Sequence, residues 1–251
     1  QELHHARTII VEEAKGFAAN HEFGSAVANR VLSSHVIPDV YVFSTSLERK
    51  IDNGWDDLSQ WRAYGNYGSG VALAFQFIGA GPPLPPGLAF GKVLYDETAK
   101  RHFVTQVLQL GFASSNTNLQ AAIDATALEL ARFIPLMKHQ AFAEEREIRF
   151  VFVPQETGGP EEKFYSRGSM VVPYVSLNEI YDRSGTPRHE LPFWPLQLQR
   201  IAIGPSSSNL AINTLRLALA KSPLRTFHHF YGHAEGNVEL LPSSIPYREL
   251  R

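Results

Sequence analysis

The sequence predicts an α+β fold: a single domain with a mixed or antiparallel central sheet and helices packed around it. Three observations carry this. Several long stretches repeat apolar residues at helical spacing. Short β-rich runs such as VYVFSTS, VALAFQF and REIRFVFV lie scattered among them. No repeat, low-complexity tract or linker divides the chain, so one domain is the simplest reading.

The elements follow in order. Leu3, Ala6, Ile9, Ile10, Ala14 and Phe17 predict an amphipathic helix over 1–19. Phe23, Val27 and Val31 predict a second over 22–33. A strand is expected at 40–46, after Pro38, whose missing N–H costs little there. A short helix over 57–64 ends in GNYGSG. VALAFQF has the length of a buried strand, and AFGKVLY is another strand. IGAGPPLPPG is too rich in Pro and Gly for a regular element.

Helices are expected at 98–111 and 116–139, with Pro135 kinking or ending the second. REIRFVFV alternates Ile148, Phe150 and Phe152 with Arg149, Val151 and Val153, as a strand does. QETGGPEEK reads as a turn. SMVVPYVSL is a strand whose Pro173 makes it an edge or bulged one. RIAIGPSSSNLAINTLRLALAK reads as strand, tight turn and helix, and GNVELL as a last strand.

Composition narrows the function classes. A chain of 251 residues can bury a substantial core without staples. A net charge of −2 provides no field for a polyanion, so there is no strong nucleic-acid signal. With no cysteine, disulfides, thiolate catalysis and Cys-ligated zinc are excluded, and a cytoplasmic location is expected. No run approaches the ~18–20 apolar residues of a membrane span, and no cleavable signal opens the chain. QELHHART begins without Met inside a helical pattern, so further residues are expected upstream.

Four constellations are candidates for chemistry. In DDLSQWRAYGNYGSGVALAF, Asp57, Trp61 and Tyr64 fall at i, i+4 and i+7 and share a helix face. Gly65, Gly68 and Gly70 then turn the chain into a strand with an Ala72–Ala74 face open to close approach. The stretch is either core with satisfied polar tips or the wall of a ligand site. In AEEREIRF, Glu145, Glu147 and Arg149 fall on one side if the backbone is extended. Carboxylates there can steady a cationic transition state or orient a sugar hydroxyl, or they form an ion-paired strand face.

IGPSSSN before a helix can bind a phosphate with backbone N–H groups, or its serines are ordinary caps. It is no Walker loop, since no Gly-Lys-Ser/Thr follows. His229 and His233 have metal-ligand spacing, but Gly232 and Gly236 oppose a helix there and no metal is expected. No Gly-x-Ser-x-Gly elbow marks a serine hydrolase.

These residues resemble a large, mostly bacterial family of proteins of unknown function, domain of unknown function family 2971. The resemblance rests on VYVFSTS, on Trp61 and Tyr64 as Trp-x-x-Tyr, and on Lys138, Phe142, Glu145, Glu147 and Arg149 as Lys-x-x-x-Phe-x-x-Glu-x-Glu-x-Arg. It extends to Pro173–Val175 and to a terminal SxIPYR pattern at Ser244–Arg248. The family's usual first strand and helix precede the QEL with which this chain starts.

The order of elements is also similar, more distantly, to ADP-ribosyltransferases. That similarity implies an ADP-ribosyltransferase-like fold and NAD as a substrate. It implies Ser44, Thr45 and Ser46 lining the pocket, with Trp61 or Tyr64 stacking on nicotinamide. Arg149 joins the binding residues. Glu147 is implied as the catalytic acid, with Glu145 facing the acceptor.

Two competing readings stand beside this one. The first is a non-catalytic module binding a small molecule, nucleotide or partner, in stress or phage response. The second is a metal-dependent nuclease or phosphodiesterase using Asp56, Asp57, Glu145 and Glu147 to hold Mg²⁺.

Overall fold

The computed structural model describes residues 2–33, 40–48, 55–77, 84–85, 87–116, 118–154, 160–177, 179–180, 196–222, 226–228 and 235–245. The chain is α+β, as predicted, with antiparallel and mixed sheets. Its contacts divide it into two compact units, each built from two separate segments.

The first unit takes Gln1–Leu47 and Leu84–Val175. Its helices are α1 (Glu2–Lys15), α2 (His21–Leu32), α4 (Glu97–Ala113) and α5 (Leu119–Phe133). The periodic residues meet in one core: Ile10, Phe17, Phe23, Val27, Val31, Val104, Leu108, Ile123, Ala127 and Leu130 are buried together. Phe17, Phe23 and Phe112 pack in tilted and edge-to-face contacts with ring centroids 5.5–6.3 Å apart. Each helix after the first starts on a side-chain cap. Asn20, Asp96 and Asn118 accept the N–H groups of Phe23, Ala99 and Ala121.

Helices α4 and α5 meet at Gly111. A Cβ there would lie 2.0 Å from Thr126 Oγ1, so only glycine permits the approach. The helix expected to reach 139 stops at Phe133. Pro135 lies in a 3-10 turn, Ile134–Leu136, because it has no N–H to continue the ladder.

The unit's main sheet is antiparallel, in the order β1 (Tyr41–Ser46), β4 (Glu147–Phe152), β3 (Leu88–Lys92). The central strand is buried at Phe150, Val151 and Phe152. On one face Phe150 contacts Phe43 and Phe90, with centroids at 6.1 and 4.4 Å. A separate hairpin joins β5 (Lys163–Arg167) to β6 (Met170–Tyr174). Pro173 lies in β6, where the sequence placed an edge strand. Strand β5 was not anticipated. Its signal was the Gly168–Ser169 pair: Gly168 at φ 60 opens the two-residue turn that such hairpins favour.

The second unit takes Glu48–Pro83 and Ser176–Arg251. Its three-stranded sheet orders β10 (Glu239–Pro242), β7 (Leu196–Ile203) and β2 (Val71–Phe77). Strand β7 runs parallel to β10 and antiparallel to β2. Helix α3 (Leu58–Tyr64) precedes β2, and α6 (Asn209–Ala220) follows β7. Two short strands, β8 (Thr226–His228) and β9 (Glu235–Asn237), pair with each other.

The register of β2 on β7 slips between Ala74 and Phe75, leaving Gln199 as a bulge. Leu198 and Ile201, three apart, thereby share a face. There they pack with Phe75, Leu215, Leu219 and Val238.

One expectation is overturned here. VALAFQF is not a buried strand: β2 is the sheet's edge among the described residues. Val71 and Leu73 are 52% and 47% exposed. An apolar run of strand length does not distinguish a central from an edge position.

Candidate functional site

The site grows from one turn in the first unit. The 3-10 helix Gln140–Glu145 ends at Arg146, whose backbone is left-handed at φ 46. For a residue with a Cβ this costs about 1–2 kcal/mol. Two hydrogen bonds hold it. Leu47 N–H donates to the Arg146 carbonyl at 3.0 Å, and Arg146 Nε donates to the Leu47 carbonyl at 3.1 Å. The reversal lets Glu145 and Glu147, on either side of it, reach the same ammonium. Lys138 Nζ lies 2.6 Å from Glu145 Oε2 and 2.7 Å from Glu147 Oε1.

Arg149 Nε donates to the other Glu147 oxygen at 2.5 Å, and its Nη1 donates to the Pro135 carbonyl. The Phe142 ring centroid lies 4.6 Å from Lys138 Nζ, within cation–π reach. Beneath the network the Tyr95 hydroxyl accepts the Glu147 N–H at 2.9 Å. Leu94 holds the Lys138 segment by donating to the Leu136 carbonyl and accepting from Lys138 N–H.

Glu147 is only 7% exposed. Burial alone raises a carboxyl pKa. Here hydrogen bonds from Arg149 and Lys138 outweigh it and hold Glu147 well below the usual carboxylate range. Burial likewise opposes the Lys138 charge, but its two carboxylate partners overcome that and raise it. Burial, together with the nearby Glu147 and Glu145 charges, raises the Tyr95 phenol. The product is a fixed carboxylate between two fixed cations.

The neighbouring strand brings two of the predicted serines to this carboxylate. Ser44 stands opposite Arg149 and Ser46 opposite Glu147 in the β1–β4 ladder. Opposed residues of an antiparallel pair project from the same face. Ser44, Ser46, Glu147 and Arg149 therefore share one face. Thr45, opposite Ile148, belongs to the other face, and its hydroxyl donates to the Ile148 carbonyl at 3.4 Å. The condition for Glu145 to share the side of Glu147 and Arg149, an extended backbone already at 145, is not met: the strand begins only at Glu147. Lys138, not strand geometry, unites the two glutamates.

Trp61 and Tyr64 belong to the second unit. Asp57 is not on their helix face. It is the N-cap of α3, accepting Ser59 N–H at 3.0 Å, because a carboxylate satisfies the first free backbone donors. Trp61 is buried and donates its indole N–H to Asp56 at 2.8 Å. Asp56 also accepts Ser243 Oγ at 2.6 Å and Ser244 N–H at 2.8 Å. Burial works against the Asp56 charge, and these donors lower its pKa despite that. Tyr64, in contrast, is 66% exposed.

The glycine turn after α3 docks on the turn after β7. Gly204 N–H donates to the Gly70 carbonyl at 2.9 Å, and Ser206 N–H to the Gly68 carbonyl at 2.8 Å. The serines considered for phosphate binding are engaged here. Ser206 and Ser207 hydroxyls donate to the Tyr67 and Ser69 carbonyls, and Ser208 caps α6. His229 and His233 lie outside the described residues. Among the described residues no group of three or more His, Asp and Glu side chains is placed to hold a metal ion. No helix among them is long and apolar enough to cross a membrane.

Lys138 entered the sequence reading only within a spaced pattern, although it is the hub of the network. Tyr95 carried no recognisable signal, and Asp56 was read only as a candidate metal ligand, since its Ser243 and Ser244 partners are remote in sequence.

The fold and this network thus define an α+β protein with a buried Lys–Glu–Arg cluster beside a serine-bearing strand. A family model described as Protein of unknown function (DUF2971) matches residues 60–150. That span includes Trp61, Tyr64, Lys138, Glu145, Glu147 and Arg149. Neither a curated protein nor a solved structure matches the chain. The likeness to ADP-ribosyltransferases accordingly rests on the sequence pattern alone.

Proposed function

We propose that the chain binds a nucleotide-type ligand, NAD in the first instance, on the β1–β4 face and cleaves its nicotinamide–ribose bond. One observation carries the reading: Ser44, Ser46, Glu147 and Arg149 share a face, with Glu147 held ionised. In such a reaction the C1′–N bond breaks, nicotinamide leaves with the electron pair, and positive charge develops on the ribose. A carboxylate kept charged beside the sugar stabilises that charge. The serine hydroxyls and Arg149 hold the ligand's hydroxyl and phosphate oxygens. Water or an acceptor nucleophile then bonds to C1′ and loses a proton.

The test is nicotinamide release from NAD, followed by chromatography, beside calorimetry of NAD binding. Glu147→Gln should lower release by about 10²–10³-fold, the loss typical of removing one transition-state electrostatic contact. Absence of both release and binding rejects the reading.

A second reading is favoured by a different observation. Both Glu147 oxygens are engaged by Lys138 and Arg149. A carboxylate so occupied suits a structural clasp in a non-catalytic binding module. NAD binding without nicotinamide release, with an affinity that Glu147→Gln leaves unchanged, supports this alternative.

A further inference from the structure

The β5–β6 hairpin is unusual for what it leaves uncovered. Phe164, Tyr165, Met170, Val171 and Tyr174 are all exposed, with Phe164 at 60% and Val171 at 69%. Among the described residues the hairpin packs chiefly on itself. Two strands alone are marginally stable in water, and further strands normally complete such a structure.

The ladder decides which edge is open. Arg167 faces Met170 across the two-residue turn, so they form a hydrogen-bonded pair, and pairs alternate from there. Tyr165 and Val172 are bonded; Phe164 and Pro173 are not. Pro173 therefore points its missing N–H outward and blunts the free edge of β6. On β5, Phe164 and Ser166 point their N–H and C=O groups outward, and among the described residues no strand meets them.

The residues of β5, with Glu161 just before it, specify an occupant. An antiparallel copy centred on Phe164 places Phe164 opposite itself, Lys163 opposite Tyr165, and Glu161 opposite Arg167. Charges are then complementary at both ends and an aromatic pair fills the middle. A copy centred on Tyr165 instead sets Lys163 against Arg167, a like-charge pair that is disfavoured. We infer that two copies of this chain associate through β5, edge to edge about a two-fold axis at Phe164, making a four-stranded antiparallel sheet. An isologous contact of this kind closes on itself and does not propagate.

The test uses sedimentation velocity over a concentration series, with thermal unfolding to check folding. A concentration-dependent dimer is expected. Glu161→Arg and Arg167→Glu should each weaken it, and the double swap should restore it. Ser166→Pro should abolish it while leaving the unfolding midpoint unchanged, because that N–H bonds nothing within the hairpin. Since the chain has no cysteine, Phe164→Cys should cross-link the dimer on mild oxidation and Met170→Cys should not. A monomer at every concentration overturns the inference. So does a dimer that survives Ser166→Pro and both single swaps.

Discussion

Trp61 donates its indole N–H to Asp56, and the same carboxylate accepts hydrogen bonds from Ser243 and Ser244. One acid thus ties the helix before β2 to the segment after β10. Asp56→Ala should orphan the buried indole and destabilise the protein by about 1–3 kcal/mol. Urea unfolding followed by tryptophan fluorescence measures it. Asp56 has a folded pKa below its ordinary value of 3.8. Its contribution is therefore present above that value and lost as pH falls through the lower folded pKa. The Asp56→Ala variant should show a smaller acid destabilisation than the parent.

Lys138 is the point at which the Glu145–Glu147 cluster is most easily broken. Lys138→Met leaves the buried Glu147 with Arg149 as its remaining ion-pair partner and removes the ammonium that holds the partly buried Glu145. Loss of one member of a buried ion cluster costs about 3–5 kcal/mol, read as a shift of the denaturation midpoint. The pH dependence has two limits of opposite sign. The Glu147 contribution is present above 4.5 and disappears as acid reaches its depressed folded pKa. That of Lys138 is present below 10.5 and disappears as base reaches its elevated folded pKa. Stability from the cluster should be flat between those values and should fall outside them.

Lys100 provides the contrasting case. It is buried in the first turn of α4, and burial lowers its pKa despite Glu97 and Asp96. The unfolded chain then binds the proton more tightly. Its contribution should rise with pH from the lowered folded pKa up to 10.5. Lys100→Met should raise the urea midpoint at neutral pH and flatten that rise.

Gly204→Ala tests the docking of the glycine turn. A Cβ at 204 would stand 2.2 Å from the Gly68 carbonyl oxygen and 2.9 Å from that of Gly70. Either backbone must move and release its hydrogen bond. Overpacking of this kind costs about 1–3 kcal/mol. Hydrogen exchange at the Gly204 and Ser206 amides should accelerate, while exchange in α1 and α2 stays unchanged.

The helices were legible from their apolar spacing, which in α2 and α5 maps directly onto the buried core. Their ends were not: the caps Asn20, Asp96 and Asn118 passed unread, and α5 stops at Phe133 rather than 139. Edges were less legible. VALAFQF contains nothing that states how many neighbours it will have, and β5 is too short and polar to stand out. At the candidate site, the Glu-x-Glu-x-Arg spacing located the chemistry but not its geometry. The left-handed Arg146 decides where Glu145 points, and the Leu47 bonds that sustain it come from the residue just past β1, far away in sequence.

Each compact unit is assembled from two stretches of chain, so neither corresponds to a continuous fragment. During synthesis β2 emerges long before β7, the strand it pairs with. Its exposed valine and leucine must wait, unpaired, while the whole of α4, α5 and the β4 sheet is made. A chain cut at the boundary after Val175 strands β2 without a partner. Such a fragment should be captured by chaperones or aggregate, even though every residue of the first unit is present.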